Sequence, residues 1–106
     1  MIARVAAFEG MDFGQVQKST AEAGSRVEQI FQGLVGYQGH LELAAENGKM
    51  LSIVLFDSLE HADAAESVFE EEMPSKLGDV FAAWAGRRVS VDRYSVLAES
   101  ILQTSP

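Results

Sequence analysis

Asn47-Gly48 separates two strand-like arms, and no other pair of residues restricts the possible folds as much. Asn-Gly between apolar-rich runs is the strongest short hairpin signal, because both residues tolerate the positive φ of a type I′ turn. The arm before it alternates His40, Leu41, Glu42, Leu43. The arm after it is apolar almost throughout: Met50, Leu51, Ser52, Ile53, Val54, Leu55, Phe56. An antiparallel strand apolar on both faces needs cover on both. The chain's own helices can cover one face, and the other calls for a second copy of the chain. A two-residue turn sets Ala45 opposite Met50, Leu43 opposite Ser52 and Leu41 opposite Val54. On the other face it sets Glu42 opposite Ile53 and His40 opposite Leu55.

The flanking segments supply the remaining elements. Ile2 to Phe8 reads as a first strand, and Asp12 is placed to cap a helix running to about Leu34. In that helix Phe13, Val16, Ala23, Val27, Ile30, Phe31 and Leu34 form one apolar face. Gly24 weakens it, and close packing would explain its presence; Gly33 and Gly36 suit its end. The hairpin occupies Gln38 to Glu46 and Lys49 to Phe56. Asp57 or Ser58 caps a second helix with Leu59, Ala62, Ala65, Val68, Phe69 and Met73 buried, and Asp63, Glu66, Glu70 and Glu71 in water. Pro74 breaks it after Met73; a further piece carries Leu77, Val80, Phe81 and Trp84 and stops at Gly86. Arg87 to Val96 alternates as a fourth strand.

The order β-α-β-β-α-β specifies an α+β, ferredoxin-like, four-stranded antiparallel sheet with helices on one face. The domain spans residues 1–97. The tail, 98–106, has Ile101 and Leu102 as its anchors and is either loose or packed on a partner subunit. Leu51, Ile53, Leu55, Phe8 and Tyr94 would leave the uncovered sheet face apolar, and a twofold homodimer packed sheet to sheet removes that exposure.

Composition narrows the functions. Eight basic and sixteen acidic side chains give a net charge of −8, which repels phosphate backbones and anionic lipid and argues against nucleic-acid or membrane partners. No apolar run approaches the ~18 residues of a membrane span, and Met1 leads straight into a strand. The absence of cysteine suits a reducing cytoplasm, and cytoplasmic is the expected location. No metal-ligand spacing, phosphate-cradling loop or Ser-His-Asp set is visible, so no cofactor is expected.

Several residues carry chemistry. On the hairpin register above, His40 and Glu42 share the sheet face between subunits, where Arg4 can join them. As a trio they suit an anionic or enolisable ligand, with His40 as general base; the plainer reading is a satisfied polar cluster at the interface or at a sheet edge. Trp84, with Phe81 and Leu77, either roofs a pocket for a flat ligand or packs in the core, and Tyr94 offers a phenol at a rim. His61 reads as a neutral, exposed first-turn residue, and Glu70-Glu71-Glu72 as a solvated helix face.

Gly36-Tyr37-Gln38-Gly39, Asn47-Gly48, Phe56-Asp57-Ser58-Leu59-Glu60 and Val89 to Val96 together resemble the dimeric α/β-barrel superfamily, and within it the antibiotic-biosynthesis-monooxygenase-like (ABM) domains. The resemblance implies a homodimer and a pocket between sheet and helices for a small hydrophobic or aromatic compound. Ser52, Phe56, His40 and Arg4 would be its walls, and the implied activity is cofactor-independent monooxygenation. The polyketide oxygenases of the group use an Asn on the third strand and a Trp near its end, where this chain has Ser52 and Phe56. The haem-degrading members use an Asn, a Trp and a His for which Asn47, Trp84 and His61 are poor matches. A non-catalytic ligand-binding or assembly module is therefore the alternative.

Overall fold

The computed structural model describes residues 1–100. Its elements are β1 (Ile2–Glu9), α1 (Phe13–Gln32), β2 (Tyr37–Ala44), β3 (Met50–Phe56), α2 (Leu59–Ala64), a wide π turn (Val68–Glu72), α3 (Met73–Trp84) and β4 (Arg87–Ser95). The strands form one antiparallel sheet in the order β2-β3-β1-β4, the ferredoxin-like arrangement, with the helices on one face. Ile101, Leu102 and the rest of 101–106 lie outside the described residues. Leu97 is 94% exposed.

The hairpin corrects the two-residue turn. Gly48 N–H donates to Ala45 O and Ala45 N–H to Lys49 O, closing a three-residue loop of Glu46, Asn47 and Gly48. Gly48 takes a φ of 90°, whereas Asn47, whose Oδ1 accepts from Lys49 N–H, does not turn left-handed. The cause lies outside the hairpin. Met11 N–H donates to Gly48 O at 3.0 Å, and a side chain at Gly48 would press on the Met11 backbone. The register therefore slips by one from the two-residue expectation: Glu42 faces Ser52, His40 faces Val54, Leu43 faces Leu51 and Leu41 faces Ile53.

That slip reassigns the faces, since side chains alternate along a strand. His40, Glu42, Met50, Ser52, Val54 and Phe56 turn toward the helices with Ile2, Arg4, Ala6 and Phe8 of β1. Leu41, Leu43, Leu51, Ile53, Leu55 and Tyr94 share the open face. His40, Glu42 and Arg4 are thus under the helices, not on the open face where a second subunit would sit, and Phe8 packs with Met11, Val16, Met50 and Trp84.

The helical layer differs from expectation in three places. Asp12 caps α1 as expected, its side chain accepting from Gln15 N–H. Gly24, however, meets nothing within 4 Å, so close packing does not account for it. The second helical segment is interrupted well ahead of Pro74, from Ala65 onward, and α3 carries a further kink at Leu77 (φ −123°, ψ 19°). Ala65 closes α2, the chain widens into the π turn, and Pro74 falls in the first turn of α3, where a missing N–H costs nothing. Finally, α3 ends with Ala85 in the left-handed region (φ 62°) while Gly86 follows it. Gly86 is needed for space: a Cβ there would clash with the Met11 side chain and stand 2.8 Å from Glu9 O.

The strain and the space requirement thus sit on adjacent residues and separate by mutation. Ala85→Gly relieves the left-handed Cβ penalty and is expected to raise unfolding stability by about 1 kcal/mol. Gly86→Ala is expected to lower it by about 1–3 kcal/mol through overpacking against Met11. Urea denaturation of both variants checks the pair.

Candidate functional site

The buried apolar residues fall into two groups. One centres on Phe31, Val54, Phe56 and Leu77, the other on Met11, Val16 and Met50. Between sheet and helices, touching both, lies a cavity of about 510 Å³, within the size range of small-molecule sites. Its apolar wall includes Phe8, Phe31, Phe69, Met73, Phe81 and Trp84. It exists because small residues stand where larger ones would fill the layer: Ala6 on β1, and Ala23 and Gly24 on α1.

Among the polar residues of the sheet wall, Glu42 is the carboxyl without a counter-charge among the described residues. Ser52, directly opposite on β3, donates its hydroxyl to Glu42 Oε1 at 3.0 Å. Among the described residues Oε2 has no partner, and no cation pairs with the carboxyl. Protein encloses the group on most sides although the cavity reaches it. Burial pushes its pKa up to about 7, the Ser52 hydrogen bond pulling weakly the other way.

His40, two residues earlier on the same face, is oriented by neighbours. Its Nδ1 lies 2.7 Å from Tyr37 Oη and 3.3 Å from Glu28 Oε2. Tyr37 and His40 are three apart and would point to opposite faces of a regular strand. A bulge between Tyr37 and Gly39, where Gly39 takes a φ of 145°, brings both to the helix side. Burial and Glu28 push the Tyr37 hydroxyl up to about 12, which keeps it a neutral donor. Phe31 meets the His40 ring edge-on with centroids 5.0 Å apart. Among the described residues Nε2 has no hydrogen-bond partner.

Arg4 lines the cavity but is fully engaged. Only 3% exposed, its guanidinium forms a two-pronged pair with Glu66 at 2.9 and 3.1 Å, lies 3.8 Å from Glu70, and stacks 4.0 Å over the Phe69 ring. The Arg4 hydrogen bonds hold the Glu66 carboxyl below the usual range. Arg93 adds a bond to Glu66 at 2.8 Å, and Arg88 grips Glu70 through both nitrogens at 2.5 and 3.1 Å. Arg93 Nε lies 3.0 Å from Asp63 Oδ1 but off the line for a hydrogen bond. Glu66 and Glu70, expected in water, are therefore the counter-charges of a buried arginine. Trp84 donates its indole N–H to Ser19 Oγ at 2.8 Å, and that hydroxyl in turn donates to Gln15 O.

Of the residues singled out from the sequence, Arg4, His40, Glu42, Ser52 and Trp84 meet around this one cavity. Phe56 does not line it: fully buried, it packs edge-on against Phe69. Tyr94 is 55% exposed on the open sheet face. His61 is tied to Asp57 at 2.6 Å beside Gly36, where a Cβ would come within 2.5 Å of the ring. Ser19, Glu28, Tyr37 and Gly24 were not recognised as parts of the site. Gly36-Tyr37-Gln38-Gly39 held the signal for the bulge, and Gly24 was itself the signal for the cavity. Among the described residues no cluster of His, Asp or Glu is arranged to hold a metal, and no helix is long and apolar enough to cross a membrane.

No protein family matches the chain, and no curated protein matches it in sequence. Among solved structures it is similar to a dimeric ferredoxin-like protein from an uncultured marine organism. The identity is 16%, the match covers 95% of this chain and 98% of the other, and the TM-score is 0.68. At that identity the likeness establishes the ferredoxin-like fold.

Glu42 also sets a pH dependence. Its folded pKa of about 7 stands above the ordinary 4.5, so folding takes up a proton between those values. Its contribution to stability is complete below about 4.5 and is lost as pH rises through 7. Chemical denaturation from pH 4.5 to 8 is expected to show stability falling across that window, with the slope flattened in Glu42→Gln.

Proposed function

We propose that the protein is a homodimeric, ABM-like domain whose cavity binds a small hydrophobic, aromatic compound and oxidises it as a cofactor-independent monooxygenase. The observation that carries this is a carboxyl group poised near pH 7, without a cation of its own, on the wall of a largely apolar chamber of ligand size. A base so placed can take a proton from a phenol or an activated C–H, leaving an electron-rich anion able to react with dioxygen directly. His40, held through Nδ1 by Tyr37 and Glu28, is the second proton-handling group. Arg4 acts as a positioning residue, since its donors are spent on Glu66 and Glu70.

The homodimer is supported by the open face, where Leu41, Leu43, Leu51, Val89 and Tyr94 are each exposed by 39% or more. The marine ferredoxin-like protein of similar fold is also dimeric. A twofold axis through this face would cover it with its own copy.

A second reading is a binding module without turnover. It is favoured by Ser52 and Phe56 standing where the oxygenases of the resembled group have Asn and Trp, and by Phe56 being outside the cavity.

One set of measurements separates these readings. Sedimentation at micromolar concentration is expected to give the mass of two chains. Incubation with anthrone is expected to give oxygen-dependent product, absent anaerobically and reduced by about 100-fold or more in Glu42→Gln. Anthrone binding without oxygen uptake would favour the binding module, and absence of both would remove the cavity as a ligand site.

A further inference from the structure

The charged groups around the cavity are unevenly satisfied. Five of its lining residues are ionisable at accessible pH or permanently charged: Arg4, His40, Glu42, Glu70 and Arg88. Arg4 is matched by Glu66 and Glu70, and Arg88 is clamped to Glu70. Any charge on His40 is faced by Glu28. Glu42 alone has no cation, and its Oε2 has no hydrogen-bond partner among the described residues.

We infer that the cavity selects aromatic ligands whose polar group is a hydrogen-bond donor without negative charge, such as a phenol or an aryl amine. That group is received by Glu42 Oε2, and carboxylates or phosphates of the same shape are rejected. The inference deepens the cavity-ligand reading and rests on it, but not on turnover.

Three arguments carry it. Glu42 Oε2 opens on the cavity, so a ligand that displaces water there must replace the hydrogen bond water would make, and a ligand donor does so. An anionic ligand would find no spare cation, because drawing Arg4 or Arg88 away would strand Glu66 or Glu70 in a partly buried ion network. It would also bring a second negative charge beside Glu42 in a site of low polarity. The specificity thus comes from repulsion and missing counter-charge as much as from the bond gained.

Gly24 fixes where the ligand sits. It opens on the cavity with nothing within 4 Å, so a leucine there would fill the chamber without displacing backbone. Leucine is also the better helix former, so the substitution is not expected to cost the fold.

Calorimetric titration at pH 8 with 2-naphthol and 2-naphthoate, which share one ring system, tests the inference. The wild-type protein is expected to bind the naphthol at least ten-fold more tightly than the naphthoate. In Glu42→Gln, whose amide can donate as well as accept, that ratio is expected to shrink to within three-fold. Gly24→Leu, folded by circular dichroism, is expected to bind neither. Naphthoate bound as tightly as naphthol by the wild type would overturn the donor selectivity and leave the cavity reading standing. Naphthol binding that survives Gly24→Leu would place the ligand elsewhere and overturn the proposal. No binding of either compound to the wild type would overturn the selectivity together with the cavity reading.

Discussion

A guanidinium buried under a helical layer must take its counter-charges with it, and Arg4 imposes that demand on the whole structure. It projects from the middle of β1, a central strand, and is 3% exposed. Leaving such a charge unpaired would cost several kcal/mol, more than most single contacts contribute. The segment after β3 must therefore carry carboxylates across the sheet at this point. Glu66 and Glu70 do so, four residues apart around the start of the π turn. The interruption of helical spacing there, between α2 and α3, accompanies a helix layer that both covers Phe56 and reaches Arg4. Arg88 and Arg93 on β4 complete the network and tie the edge strand to the same carboxylates.

With that side of the layer anchored, the remaining space is decided by side-chain size. The first apolar group closes around Phe31 and Leu77, and the second around Met11 and Met50. Ala6, Ala23 and Gly24 leave the region between them unfilled. A helix interior glycine with no close neighbour lowers helix stability by about 1 kcal/mol without any packing gain. Its effect is room, and the room lies against Glu42. Fold stability and ligand capacity thus oppose each other at one residue, a tension common to sites that evolve on small scaffolds.

The sequence was most legible where local chemistry and tertiary structure agree. The cap at Asp12 and the apolar face of α1 need only local periodicity, and both stand as read; the strand read over Arg87 to Val96 forms as Arg87–Ser95, although a bulge at Val89 breaks its alternation. The hairpin was legible as a hairpin but not in register, because the deciding hydrogen bond runs from Met11, far away in the chain, to Gly48. One residue of slip exchanged the faces, so His40 and Glu42 were read as facing a partner subunit when they face the helices. The bulge at Gln38, which alone lets Tyr37 reach His40, is likewise a tertiary feature. The roles of Glu66 and Glu70 were hidden for a related reason. Helical periodicity places acidic residues in water unless a buried cation on another element is known, and Arg4 is sixty-two residues from Glu66.

Burial of a carboxyl without a counter-charge in a largely apolar cavity is the claim from which the candidate site follows. Carbon-13 NMR titration of the Glu42 side-chain carboxyl reads that burial without reference to any ligand. A midpoint near 7 is the expected result. A midpoint at the ordinary 4.5 would mean that water solvates the group freely, and the cavity described here would not be an enclosed site.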